Sequence, residues 1–183
     1  MPERGVLAVE HGGSLERARA LFPHAPEPLV DLSTGINPHS YPLFDLPATV
    51  HQRLPEPTRL AELLRVAGAI YGLAEKDGIV AAPGTQILLP RVMSLIPPGR
   101  CAVLGPTYAE HARAAAIAGH AVSEVVAFEA LADHDLAVVV NPNNPDGRLI
   151  PVETLAELAR HLAARGGLLV VDEAFMDVGP PVA

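Results

Sequence analysis

Four short motifs place chemically capable residues where predicted strands run out: APGTQ with Gly84, Thr85 and Gln86, GPTY with Tyr108, NPNNPDG with Asn144, and VVDEAF with Asp172. A buried carboxylate facing a pyridine-type nitrogen keeps it protonated, and a protonated ring is a better electron sink. A side-chain amide steadies a ring phenolate oxygen, while an aromatic face stacks on the ring. A glycine turn entering a helix offers free amides at the positive end of the helix dipole, which holds a phosphate without lysine. Taken together, the four motifs describe a site for a phosphorylated aromatic ring. Taken singly, the Gly84 turn is weak evidence, because many such turns bind nothing.

Secondary structure has to bring these residues to one place. Val138, Val139 and Val140 read as a buried strand that stops at the Asn-Pro loop, and Gly167–Phe175 reads as a second strand ending in acid. The helix between them, opened by Pro151 at its first turn, buries Leu155, Leu158, Ala159 and Leu162. Two parallel strands joined this way carry Asn144 and Asp172 to the same sheet edge, where open parallel sheets bind ligands. Upstream, Arg100–Gly105 is a strand, an alanine-rich helix runs to about Ala118 before Gly119, and Ala121–Ala127 is a short strand. Ile79–Ala82 reads as a strand that turns into an apolar helix reaching Ile96, loosened at Pro90. Thr58 caps a helix running to about Tyr71. The alternation predicts an α/β fold with a largely parallel sheet sandwiched by helices.

Residues 1–57 read as an N-terminal arm with loops, and residues 58–183 as a partial large domain. In the arm, His11-Gly12-Gly13 precedes a helix that Ser14 caps; the glycines suit an anion, though a flexible entry turn is the plainer reading. Prolines are dense from Pro23 to Pro57, with a short strand, Leu29–Leu32, leading to Ser33, Thr34, Gly35 and Asn37. That polar loop fits a pocket lining and fits ordinary turn chemistry equally well.

Composition sets outer limits. At 49% hydrophobic and 19% charged, the 183 residues are enough for a packed core. A net charge of −8 without a basic run argues against nucleic acid or an anionic membrane as partner. One cysteine, Cys101, excludes an internal disulfide and reads as a buried strand thiol. No signal peptide or membrane-length apolar run is evident, so a cytoplasmic location is expected. His24, His39, His111, His120, His134 and His161 show no metal-ligand spacing and read as solvated or packed, so no metal is expected.

In this order and spacing, NPNNPDG, VVDEAF and GPTY resemble the large domain of fold-type I pyridoxal-phosphate enzymes of the aminotransferase class I/II group. HGGSLERARALF, LVDLSTGINPHSYP and APGTQ extend the resemblance, over essentially the whole chain, to the threonine-phosphate decarboxylases of cobalamin biosynthesis and their relatives the histidinol-phosphate aminotransferases. The resemblance implies pyridoxal 5'-phosphate as cofactor, a small phosphorylated amino acid as substrate, and a homodimer when the protein is full length. It implies that Asp172 pairs with the pyridine nitrogen and that Tyr108 stacks on the ring, making these the catalytic residues. Asn144 would bond the ring oxygen, and Gly84, Thr85 and Gln86 would hold the cofactor phosphate. His11, Gly12 and Asn37 would lie toward the substrate. Phe175 stands where many aminotransferases have a tyrosine on the ring oxygen, which favours the decarboxylase.

One departure matters. The family's cofactor-bearing lysine follows the aspartate strand, yet the single lysine here is Lys76, in the polar turn AEKDG. By the same resemblance, the substrate-carboxylate arginine and the small C-terminal domain would also lie beyond Ala183. The expectation is the N-terminal portion of a carboxy-lyase, inactive in isolation. Rival readings are a histidinol-phosphate-type aminotransferase and a non-catalytic half-domain that binds phosphate ligands.

Overall fold

Three strands of the sheet are short, largely apolar runs, and one edge strand, AVSEV, carries serine and glutamate. In a computed structural model, which describes residues 12–37, 39–73 and 78–178, the chain divides into two units, one within Glu10–Ala81 and the other containing Ala82–Ala183. In the first, helix α1 (Leu15–Leu21) begins where the Ser14 hydroxyl accepts the Arg17 amide at 3.3 Å. Helix α2 (Pro57–Ile70) starts two residues earlier than the Thr58 cap predicts, with Glu56 as its N-cap, because Pro57 takes the first helical position, where its missing N–H costs nothing. Neither helix buries a residue.

The second unit opens with α3 (Thr85–Met93), which carries Pro90 within it and ends before Ile96. Then come β1 (Arg100–Leu104), α4 (Glu110–Ile117), β2 (Ala121–Val125), β3 (Leu136–Val140), α5 (Val152–Ala163) and β4 (Leu168–Asp172). Pro151 stands just outside α5 as its N-cap, not in its first turn. The four strands are parallel in the order β2-β1-β3-β4. Alternate residues supply two cores. On one face Cys101, Val103, Leu136 and Val138 pack with Leu89 and Met93 of α3 and Ala114 and Ala115 of α4. On the other, Ala102, Leu104, Ala137 and Val139 pack with Leu155, Leu158 and Leu162 of α5. Continuous burial of Cys101–Leu104 in β1 and of all of β3 is what a sheet covered on both faces demands.

Two expected strands do not form. Leu29–Leu32 and Ile79–Ala82 have no ladder partner, and their Val30 and Val80 are 77% and 73% exposed. Apolar residues without a neighbouring strand to bond do not make one. Cys101 is buried as expected, and burial pushes its thiol up to about 12. Among the described residues no helix is long and apolar enough to cross a membrane, and no group of three or more metal-ligating side chains gathers.

Candidate functional site

Strand order decides where a ligand would bind. From β1 the chain crosses through α4 to β2 on one side, and from β3 through α5 to β4 on the other. The reversal falls between β1 and β3, so their carboxyl ends flank the crevice that open α/β sheets use for ligands. The loop after β1 carries Tyr108, and the loop after β3 carries Asn144.

Hydrogen bonds lock these two loops together. Asn143, 4% exposed, accepts from Thr107 Oγ1 at 2.7 Å and donates through Nδ2 to Pro106 O at 3.0 Å and Asp146 Oδ1 at 2.7 Å. Asn141 trades two side-chain bonds with the backbone of Ile150, and its amide donates to Asp172 O at 2.9 Å, extending the β3–β4 ladder. With Asn141 and Asn143 occupied in this way, Asn144 is left exposed on the loop surface.

Asp172 closes β4, in register with Val140. Its Oδ1 accepts the Ala174 amide at 2.9 Å, and its Oδ2 lies 3.1 Å from Nε2 of His111, a side chain with no exposure. His111 approaches at ion-pair distance, but neither ring nitrogen makes a well-aligned hydrogen bond among the described residues. The His111 ring first, then the Ala174 amide, hold the Asp172 carboxyl below the usual carboxylate range against the opposing cost of burial. Tyr108 meets the His111 ring edge to face, with centroids 5.8 Å apart and planes at 84°. Gln86 Nε2 donates to the Tyr108 hydroxyl at 3.1 Å. The phosphate-turn candidate, the aromatic residue and the carboxylate thus form one chain of contacts, Gln86–Tyr108–His111–Asp172.

Gly84 caps α3 with φ 96° and ψ 147°, a conformation that L side chains rarely adopt, and a Cβ there would meet nothing within 4 Å. Thr85 is exposed beside it. Gln86, expected to help hold a phosphate, has its side chain engaged with Tyr108. Gly12 and Asn37 belong to the other unit, and both are exposed. His11 and Lys76 lie outside the described residues.

The residue that sequence reasoning missed is His111, read as merely solvated or packed. Its signal was its position, three residues after Tyr108, where the turn entering α4 lets the His111 amide donate to the Tyr108 carbonyl at 3.2 Å.

The chain matches the aminotransferase class I and II family over residues 55–181. It is 42% identical over 180 residues to the threonine-phosphate decarboxylase of a Sinorhizobium species, covering 96% of this chain and 53% of that protein. It is likewise 42% identical over 176 residues to the threonine-phosphate decarboxylase of Pseudomonas aeruginosa, covering 94% and 51%. The chain therefore spans about half the length of these curated relatives. Among solved structures, histidinol-phosphate aminotransferase from Sinorhizobium meliloti, in complex with pyridoxal-5'-phosphate, superposes with a TM-score of 0.61 at 24% identity, over 73% of this chain and 39% of that one. At that identity the likeness speaks to fold. With the motifs gathered at one sheet edge and a family match over most of its length, this chain belongs to the aminotransferase class I and II family.

Proposed function

We propose that this chain is the N-terminal portion of a pyridoxal-phosphate-dependent carboxy-lyase that converts L-threonine O-3-phosphate to aminopropanol phosphate and carbon dioxide, for cobalamin biosynthesis. The observation that carries the reading is the 42% identity to two threonine-phosphate decarboxylases across nearly the whole chain. The residues present suit the cofactor. A charged carboxylate stands at the strand end, a partly exposed aromatic ring lies one histidine away, and the space in front of Gly84 is open.

When bound, the cofactor supplies a pyridinium ring that takes up the electron pair left as the substrate carboxylate departs. Asp172 would hold the proton on the ring nitrogen, because an ionised acceptor favours the protonated partner. His111 keeps that carboxylate charged and in place. Tyr108 would cover one ring face, with Gln86 fixing its hydroxyl, and Asn144 would donate to the ring oxygen. Gly84 and Thr85 would hold the cofactor phosphate, while His11, Gly12 and Asn37 would receive the substrate. The protein would work as a cytoplasmic homodimer.

A histidinol-phosphate-type aminotransferase would use every cofactor contact above, and 34% identity to the histidinol-phosphate aminotransferase of Frankia casuarinae, over 87% of this chain and 48% of that protein, keeps it as the second reading. Assays of the complete protein separate the two. Release of carbon dioxide from L-threonine O-3-phosphate is expected, with no amino transfer from histidinol phosphate to 2-oxoglutarate. Transfer without carbon dioxide release would sink the lyase reading.

A further inference from the structure

Within the first unit, two segments distant in sequence are joined through one hydroxyl. Ser33 Oγ accepts the Gly13 amide at 2.8 Å and donates to Asp31 Oδ1 at 2.6 Å. The same carboxylate oxygen accepts the Ser33 amide at 2.9 Å. An ionised carboxylate only accepts, so the hydroxyl hydrogen is committed to Asp31 and the oxygen lone pairs are left for Gly13. The Ser33 hydroxyl first, then the Ser33 amide, hold the Asp31 carboxyl below the usual carboxylate range, which keeps it ionised near neutral pH.

Gly12 presses on the same residue. A Cβ at Gly12 would lie 2.5 Å from both the backbone oxygen and Oγ of Ser33, and 2.8 Å from its Cβ. A side chain can rotate away, but the backbone oxygen cannot, so only glycine permits this approach. Ser33 lies in the loop that leads to Asn37, whose Oδ1 accepts the His39 amide at 2.9 Å in an Asx turn.

We infer that Ser33 is a positioning residue that ties the Gly12–Gly13 turn to the loop carrying Asn37, so that the two segments present one fixed surface to the phosphate end of the substrate. The inference rests on the proposed function, in which Gly12 and Asn37 receive the phosphorylated substrate. Ser33 acts through them and does not touch substrate.

The test uses the complete holoenzyme. Ser33→Ala is expected to raise KM for L-threonine O-3-phosphate, and the inhibition constant of inorganic phosphate, about five- to tenfold, the worth of one lost hydrogen bond. Its kcat and cofactor absorption stay as in the wild type. Asp31→Asn keeps an acceptor for the hydroxyl and leaves KM unchanged, whereas Asp31→Ala behaves like Ser33→Ala. Gly12→Ala combined with Ser33→Ala raises KM by less than the product of the single effects, since both break one contact. Unchanged KM in Ser33→Ala, loss of cofactor absorption in that variant, or multiplicative effects in the double variant would each overturn the positioning role. A wild-type enzyme that turns over neither threonine phosphate nor histidinol phosphate overturns the functional reading as well. Normal wild-type turnover with a Ser33→Ala variant of wild-type behaviour overturns the positioning role alone.

Discussion

Asp172 is the residue whose charge the site depends on, and its surroundings set that charge. With its carboxyl held below the ordinary range by His111 and the Ala174 amide, it binds a proton more weakly folded than unfolded. Its stabilising contribution is therefore complete above the unfolded carboxyl value and is lost as pH falls through the lowered folded one. Urea unfolding of the wild type and Asp172→Asn should show a stability gap at pH 6 that narrows steadily toward pH 3; a gap independent of pH would refute the assignment. On the proposed function, Asp172→Asn in the complete enzyme would remove the charge expected opposite the ring nitrogen and should lower kcat by at least ~100-fold. Only part of this was legible in advance. Asp172 announces itself through VVDEAF, because a strand ending in acid is a local pattern. His111 does not, since its meaning lies in a contact with a strand far along the chain. The Gln86 bond to Tyr108 was hidden for the same reason, as a turn residue's side-chain partner is set by tertiary folding.

At the scale of elements, the site is two loops and a helix start held to the carboxyl edge of the sheet. Gly84 at the start of α3 has no neighbour that a methyl group would strike, so Gly84→Ala isolates backbone strain. The substitution should cost about 1–3 kcal/mol, read as a lower urea midpoint. A change within error would mean that the turn relaxes to another conformation. Asn143 ties the β1 and β3 loops, and Asn143→Ala removes three part-buried hydrogen bonds made by a buried side chain, at a cost of about 1–3 kcal/mol. Thermal unfolding checks the size of that loss, and Asn143→Asp should recover little of it, because a carboxylate cannot donate to Pro106 O. Strands β1, β3 and β4 were readable because continuous runs such as Cys101–Leu104 and Leu136–Val140 suit only a sheet covered on both faces. Leu29–Leu32 and Ile79–Ala82 looked alike in sequence and formed no strand. A short, mainly apolar run specifies extended backbone, but a ladder needs a partner that the local sequence does not name.

For the whole molecule, the question is what this chain does by itself. It carries candidates for the ring and phosphate contacts at the sheet edge, yet its single lysine, Lys76, falls in the sequence AEKDG, outside the four motifs. A lysine forms a reducible imine with an aldehyde only when its amine reaches the carbonyl carbon deprotonated, and no motif of the ring site includes Lys76, which Glu75 and Asp77 flank in sequence. The isolated chain, incubated with pyridoxal phosphate and then treated with borohydride, should therefore show no stoichiometric label at Lys76 by peptide mass mapping. It should also release no carbon dioxide from L-threonine O-3-phosphate. Stoichiometric labelling of Lys76 together with turnover would make this chain a self-sufficient lyase with its carrier amine in a new place. Labelling without turnover would mark a surface adduct, and Lys76→Arg would then abolish the label while leaving any non-covalent binding at Asp172 and Tyr108 intact. The absorption of bound cofactor in that variant separates the carrier lysine from the ring site, because the contacts expected of Asp172, Tyr108 and Gly84 require no covalent bond.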